Sequence, residues 1–239
     1  MTHPNKPANE MTRAELAAYI DYSILKPEFT TADVEREVRA AVDLRCKTVC
    51  INPAHIETAL PLVEGTDTGI CVVIDFPFGA SSTRSKVAQA EIALEHPIED
   101  LDIVMSYGRL RGGEIERVTE DFRAVFDPCH AKGVIVKTIM ETDALTDDEI
   151  RAAAEAAIAA GTDFIKTSTG FYTGTPTHGE RTGAFDDMVR LMQDAAAGRA
   201  RVKGSGAIRD REHFLRLIDM GIDRMGVGYR SVPVVLGQE

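Results

Sequence analysis

Cysteine is scarce and scattered in this chain. Cys46, Cys50, Cys71 and Cys129 form no C-x-x-C pair and lack the dense spacing of a secreted disulfide framework. Reduced thiols packed in a core are the expected state. Long hydrophobic runs are missing too: no uncharged apolar stretch approaches the roughly 18 residues of a membrane span. The opening MTHPNKPANEMTRAEL contains no apolar h-region. These features lead us to expect a soluble, cytoplasmic protein with no membrane partner. Basic residues are outnumbered, 27 Lys and Arg against 38 Asp and Glu, and the net charge of -11 sets up a field that repels polyanions. Nucleic acid is therefore not an expected partner.

Several motifs are absent as well. Neither GSGAIR nor GVGYRS completes G-x-G-x-x-G, and no G-x-x-x-x-G-K-[ST] occurs, which argues against a nucleotide site on an open doubly wound sheet. The histidines stand singly at 3, 55, 96, 130, 178 and 213, without H-x-H or H-E-x-x-H, so no metal or other cofactor is implied. A G-x-S-x-G elbow for a serine hydrolase is also lacking.

What is present is a repeating alternation. Short apolar or β-branched runs recur as AYID near 18, TVCI at 48, ICVVIDF at 70, DLDIVMS at 100, VIVKTIM at 134, DFIKTS at 163, RVKGSG at 201 and DRMGVG at 223. Between them lie amphipathic segments. TADVEREVRAAVDL opens at a Thr cap; TRSKVAQAEIALEH and GEIERVTEDFRAVFDPCHAKG follow; TDDEIRAAAEAAIAAG and DREHFLRLIDMG close at Gly161 and Gly221. Strand and helix alternating at intervals of roughly 20 to 40 residues call for parallel pairing with right-handed crossovers. Eight such units predict an α/β fold, a (β/α)8 TIM barrel. No composition break suggests a second domain. We expect a flexible arm over residues 1–11, containing Pro4 and Pro7, and one barrel domain over 12–239.

Active sites of such barrels lie where strands end and βα loops begin. Asp21, Asn52, Asp75, Asp102, Lys137, Lys166 and Lys203 fall at or near those ends. The lysines are the most informative, because strands five, six and seven each carry one within an apolar run. A single strand lysine is readily explained as a snorkelling or ion-paired side chain. Three on adjacent strands point to chemistry, since neighbouring ammonium groups and burial both disfavour charge and can leave one amine neutral. A neutral amine attacks a carbonyl carbon to give a Schiff base, which stabilises a carbanion equivalent without a metal. Asp102 is the matching acid–base candidate, the alternative being an ion pair that only orders the barrel. Asp100 fits a loop, Lys86 a helix surface, and Lys47 and Lys132 loops or helix ends. The glycines of GSGAIRD and GVGYRS suit a phosphate held by backbone N–H groups, or simply tight turns. Gly206, Ala207, Gly226 and Gly228 are the phosphate neighbours on the first reading, with Arg209 and Arg230 as charge partners.

From about residue 14 to 236 the chain resembles the deoxyribose-phosphate aldolases, a family of class I aldolases. The resemblance is carried by IDYSILKPEFT, TVCINPAHI, VVIDFPFGA, LDIVMSYGRLRGG, VKTIMETDALTDDEI, TDFIKTSTGF and VKGSGAIRD, with FIKTSTGF and LKP its most specific elements. It implies that Lys166 forms the Schiff base, that Lys203 depresses its pKa, and that Asp102 with Lys203 relays protons. We also expect substrate contacts at Lys137, Thr169, Gly170 and the loop residues just named. The implied reaction is reversible cleavage of 2-deoxy-D-ribose 5-phosphate to acetaldehyde and D-glyceraldehyde 3-phosphate, by a homo-oligomer whose partners are small aldehydes and sugar phosphates.

The departures gather around the substrate. SGAIR stands where members commonly read S-G-G-[IV]-R, and Ala207 costs little unless that position needs φ > 0. RMGVGYRS replaces R-I-G-T-S-S, which removes hydroxyls and introduces Tyr229 and Arg230. IDYSILKP replaces D-H-T-L-L-K-P, and in FYTGTPTHGERTGAF both His178 and Arg181 are placed either over the site or in solvent. Cys50 ends strand two near the active face, where packing is its expected role. The alternatives are a Schiff-base aldolase for another aldehyde or ketose, and a noncatalytic sugar-phosphate-binding barrel.

Overall fold

Alternation of side chains along each short apolar run gives every strand two faces, and the structure uses both. In the computed structural model, which describes residues 6–238, eight parallel strands close into a barrel in sequence order, with β8 returning to β1. They are β1 Ile20–Ile24, β2 Thr48–Ile51, β3 Gly69–Ile74, β4 Asp100–Val104, β5 Ile135–Ile139, β6 Phe164–Lys166, β7 Arg201–Ser205 and β8 Arg224–Gly228. The helices are α1 Arg13–Ala17, α2 Thr31–Asp43, α3 Ile56–Val63, α4 Thr83–Ala93, α5 Tyr107–Arg111, α6 Ile115–Ala131, α7 Asp147–Ala160, α8 Asp186–Ala196, α9 Arg211–Asp219 and α10 Val232–Val235. The expected (β/α)8 barrel is the observed fold.

Local chemistry explains the helix starts. Thr12, Thr30 and Thr146 each form a capping box, with Glu15, Asp33 and Glu149 three residues on, so two N–H groups that a helix start leaves orphaned are satisfied reciprocally. Gly161 ends α7 with φ 96°, a left-handed conformation that only glycine takes at no steric cost. The short helices α1, α5 and α10 and the longer α3 and α8 are not indicated by the sequence pattern, and the longer pair have physical reasons. Pro61 interrupts the pattern of one, and the other follows a long polar loop that hides its start.

The outward strand face packs on the helices. Tyr22, Val49, Val72, Leu101, Ile103, Val136, Ile165, Val202, Met225 and Val227 all belong to one buried apolar cluster with the helix interiors. A much smaller cluster of Leu25, Cys50, Cys71 and Val73 sits apart from it on the inward face. Much of the remaining interior is polar, with Phe164 an apolar exception beside Lys137 and Arg224, whereas branched aliphatics usually fill it.

Three expectations are corrected here. Asp100 is the first residue of β4, paired with Cys71 and Ile135 and fully buried, not in a loop. Lys86 does not lie on a helix surface. Its ammonium is fully buried between α4 and α6, 2.6 Å from Asp121, 2.8 Å from Ser106 Oγ and 3.4 Å from Asp75. A lysine in an amphipathic repeat looks the same whichever face it takes, so only the packing reveals this. At the N-terminus, residues 1–5 of the expected arm lie outside the described residues, whereas Ala8–Glu10 form a 3-10 turn. Ala8 is buried and donates its N–H to Asp219 at 2.8 Å, so ordered structure begins upstream of Thr12.

The buried Lys86 network yields a stability prediction. Lys86→Met leaves Asp121 uncompensated, and urea unfolding is expected to show a loss of about 3–5 kcal/mol. Adding Asp121→Leu should restore part of that loss by removing the stranded charge.

Candidate active site

Seven strands contribute polar side chains that meet inside the barrel, and Asp102 on β4 is the hub. Its Oδ1 lies 3.0 Å from Lys137 Nζ, and its Oδ2 lies 2.7 Å from both Lys166 Nζ and Lys203 Nζ. The three lysines come from consecutive strands, Lys137 on β5, Lys166 on β6 and Lys203 on β7; Lys166 is paired directly to Lys203, and Lys137 pairs with Asp102 on one side and Phe164 on the other. Beneath them the network closes on itself. Lys203 reaches Asp21 at 2.5 Å, and Asp21 accepts from Arg224 at 2.7 Å. Arg224 lies 3.3 Å from Asp100, which is 2.5 Å from Lys137. Thr48 donates to Asp21 at 2.8 Å.

These contacts set the protonation of the hub. Burial alone would raise the Asp102 carboxyl, but the charges of Lys137, Lys166 and Lys203 outweigh it and hold Asp102 well below the usual range. Asp21 is depressed likewise, against its burial, by Lys203, Lys137 and Arg224. Asp100 goes the other way: burial dominates and raises it, and its Oδ1 has no hydrogen-bond partner. Burial would strip Lys203 and Lys137 of their protons, yet Asp102 and Asp21 keep both above the ordinary lysine value. Mutual repulsion among the ammonium groups, the sequence argument, is thus answered at those two by carboxylates.

Access separates the three lysines. Lys137 and Lys203 have no exposed surface, whereas Lys166 is 3 % exposed and lines a cavity of about 350 Å3 at the mouth of the barrel. The cavity is walled by the loops after β6, β7, β8 and β1. It brings together Lys166, Thr169, Gly170, Gly206, Ala207, Arg209, Gly226, Gly228 and Arg230, all singled out from sequence. Lys137, expected among the substrate contacts, does not line it and lies in the network beneath. Sequence reasoning did not single out Lys26 or Ser23 as site residues, yet both line the cavity; the LKP element was the available signal for Lys26. Four cations face this space and no carboxylate does, in a chain of net charge -11. Lys26, Arg209 and Arg230 make no ion pair among the described residues. The concavity therefore focuses a positive potential suited to an anion.

Glycine at 226 serves the network directly. A Cβ there would stand 3.0 Å from Ser205 Cβ and 3.5 Å from Lys203 Cε. The altered loops are also resolved. Tyr229 stacks edge-on against Phe29 with centroids 5.1 Å apart, and the Arg230 guanidinium lies 5.2 Å from the Tyr229 ring. Val227 faces the helix layer and never reaches the cavity.

The remaining candidates lie elsewhere. His178 bonds the carbonyl of Leu145 at 3.0 Å, and Arg181 pairs with Asp187 over the ring of Phe185, so neither lines the cavity. Asn52 precedes a 3-10 turn after β2 without a side-chain capping bond, and Asp75 accepts from Ser81 N–H beside Lys86. Cys50 is fully buried opposite Cys71, whose hydrogen bond lowers its pKa. Cys50, Cys71 and Asp102, or Asp21, Cys71 and Asp100, are close enough to ligate a cation. The ammonium and guanidinium groups already hold those carboxylates and would repel a divalent ion, so the donor set does not suit one.

A model of the DeoC/LacD family of aldolases matches residues 12–230. The deoxyribose-phosphate aldolase of Finegoldia magna is 39% identical over 223 residues, covering 93% of this chain and 100% of that one. The enzyme of the same name from Staphylococcus saprophyticus is 37% identical, with 93% and 96% covered. Among solved structures, QR15, an aldolase, superposes with a TM-score of 0.83 at 34% identity, over 92% of this chain and 94% of that one. A deoxyribose phosphate aldolase from Aeropyrum pernix, described as having a unique tetrameric structure, gives 0.84 at 27% identity, over 94% and 91%.

The backbone at Ala207 yields a test independent of function. Its φ is 59°, the left-handed region in which a side chain costs roughly 1–2 kcal/mol, so the condition under which Ala207 is costly is met. Ala207→Gly relieves that strain less the roughly 0.5–1 kcal/mol entropy penalty of glycine. We expect a rise of about 1–3 °C in Tm by calorimetry.

Proposed function

This chain belongs to the DeoC/LacD family of aldolases, and from that premise we propose that it reversibly cleaves 2-deoxy-D-ribose 5-phosphate to acetaldehyde and D-glyceraldehyde 3-phosphate, with Lys166 as the Schiff-base lysine. The observation that carries the assignment is the position of Lys166, the one strand lysine that both touches Asp102 and opens on the cavity.

The chemistry follows from the parts. The Lys166 amine adds to C1 of the open-chain sugar, and loss of water leaves a protonated Schiff base. The C3 hydroxyl proton passes to the Asp102–Lys203 relay, which later returns a proton to C2, and this removal lets the C2–C3 bond break. Its electron pair flows into the iminium as an enamine, and the departing half becomes the aldehyde of glyceraldehyde 3-phosphate. Protonation of the enamine at C2 and hydrolysis then release acetaldehyde and the free amine. On this reading Lys203, held charged by Asp102 and Asp21, is a proton donor, and Asp102 links its proton to the Lys166 nitrogen. A strongly depressed carboxylate is a weak base, so Asp102 works by holding both nitrogens rather than by abstracting protons alone. The acid-free cavity wall receives the phosphate, with Arg230 standing in for the missing hydroxyls as a charged fork.

A relative from Aeropyrum pernix is described as tetrameric, and we take this chain to self-associate too. All four cysteines are free thiols, which suits a reducing cytoplasm. Among the described residues no helix is long and apolar enough to cross a membrane.

Borohydride reduction followed by intact-mass measurement and peptide mapping tests the mechanism. Adducts on Lys166 are expected with 2-deoxyribose 5-phosphate and with acetaldehyde, and none with Lys166→Arg. Trapping by acetaldehyde alone would keep the chemistry and move the substrate elsewhere. A folded protein that traps neither compound overturns the proposal. For Arg230→Gln we expect KM for the sugar phosphate to rise about tenfold, the effect of one lost charged hydrogen bond, while acetaldehyde trapping is unchanged.

A further inference from the structure

The loop after β5 grips the loop after β6, and the grip centres on a carboxylate that the reaction above does not use. Glu141 is 1 % exposed, with left-handed backbone at φ 56° and ψ 60°, a conformation that persists for a non-glycine residue only where its surroundings over-determine it. Its Oε2 accepts the Thr169 hydroxyl at 2.5 Å and its Oε1 the Thr169 N–H at 3.3 Å. Thr169 Oγ1 in turn accepts the Phe171 N–H at 2.9 Å. Donors run one way along this chain and end on Glu141. Two neighbours brace the same loops: Thr142 Oγ1 lies 2.9 Å from Ser168 Oγ, and Asp143 Oδ1 accepts the Gly183 N–H at 2.7 Å. The gripped segment starts right after Lys166, and its residues Thr169, Gly170 and Phe171 are cavity wall.

We propose that Glu141 is a positioning residue for the Lys166 reaction, fixing Thr169–Phe171 as a wall of the substrate cavity when ionised and loosening it when protonated. The proposal rests on the reading of Lys166 as the reacting amine. A carboxylate offers two acceptor oxygens to the two Thr169 donors, whereas a protonated carboxyl has an O–H of its own to place and satisfies only one of them cleanly. The groups facing Glu141 are the Asp143 carboxylate on its own loop, the Ser168 and Thr169 hydroxyls on the next, and the phenol of Tyr107 from α5, with Tyr172 against Tyr107 at 6.5 Å. Burial first, and then the Asp143 charge, push Glu141 up to about 7 against the hydrogen bonds that lower it. The grip therefore changes state in the neutral range, with substrate affinity falling as pH falls.

The experiment measures KM for 2-deoxyribose 5-phosphate from pH 5.5 to 8.5 in the wild type, Glu141→Gln and Thr169→Ser, with acetaldehyde trapping on Lys166 beside it. Wild-type KM should fall as pH rises through about 7 and then level off. In Glu141→Gln, whose amide meets one Thr169 donor with a donor of its own, KM should be flat with pH and about tenfold above the wild type at pH 8. Thr169→Ser keeps the hydroxyl and should keep the wild-type profile. Peptide-level hydrogen exchange over residues 167–172 gives a readout that needs no turnover: the wild type should exchange more slowly than Glu141→Gln at pH 8 and like it at pH 6. A Glu141→Gln protein that traps acetaldehyde yet keeps the limb near pH 7, or exchanges like the wild type at pH 8, overturns the positioning role alone. A wild type that traps nothing overturns the Lys166 reading and this role with it.

Discussion

One carboxylate organises the interior of this barrel. Asp102 holds three ammonium groups from three successive strands at 2.7–3.0 Å, and each of those side chains is directed by it. Without Asp102, Lys137 would keep Asp100 and Lys203 would keep Asp21, but Lys166 would lose the only ion pair it makes among the described residues. The reactive nitrogen is thus positioned by a single partner that also grips its neighbours. Alternation along the strands makes this possible: Leu101 and Ile103 anchor β4 in the helix layer, so Asp100 and Asp102 must point inward.

An interior built this way is expensive. Ions taken out of water recover their solvation only through close mutual contact, and a well-packed aliphatic core commonly matches or exceeds a buried ionic one in stability. The network meets the cost by closing into a ring of alternating charge, with Arg224 and Asp100 completing the base. Three carboxylates face four cations, so one positive charge is in excess when all are ionised. Of those four cations, Lys166 is the one that lines the cavity. A noncatalytic barrel has no use for such an arrangement, because binding a sugar phosphate requires only the acid-free wall above it.

How much of this was legible in the sequence depended on period and context. All eight strands could be located because β-branched runs and helix ends are local signals; α2 is capped at Thr30, one residue before the Thr that opens its segment, and Gly161 ends α7 where the pattern indicates. Strand lysines at 137, 166 and 203 stood out because ammonium groups do not belong in apolar runs. What stayed hidden was set by tertiary position. Lys86 reads as an ordinary polar helix residue until α6 brings Asp121 over it. Asp100 reads as the end of a loop because Glu99 and Asp100 follow one another, and only the pairing with Ile135 places it in the sheet. Lys137 resembled a substrate ligand because spacing cannot tell the floor of a barrel from its mouth. Glu141 lies within VKTIMETDALTDDEI but no local pattern marks it out, since its partner Thr169 is 28 residues away.

The division between floor and rim has a consequence for how such a protein diverges. Every residue of the ionic ring lies inside the barrel, where a change strands a buried charge and threatens both fold and chemistry. The rim is different. Tyr229 leans on Phe29, and Arg230 over Tyr229 is exposed to solvent, so exchange of hydroxyls for an aromatic and a guanidinium disturbs nothing beneath. The inward Gly226 is kept two residues before Gly228 because Lys203 needs the space, whereas Gly228 has nothing within 4 Å of where a Cβ would stand. Substrate contacts can therefore change at the end of β8 while Lys203 and the carboxylates that hold it charged stay where they are.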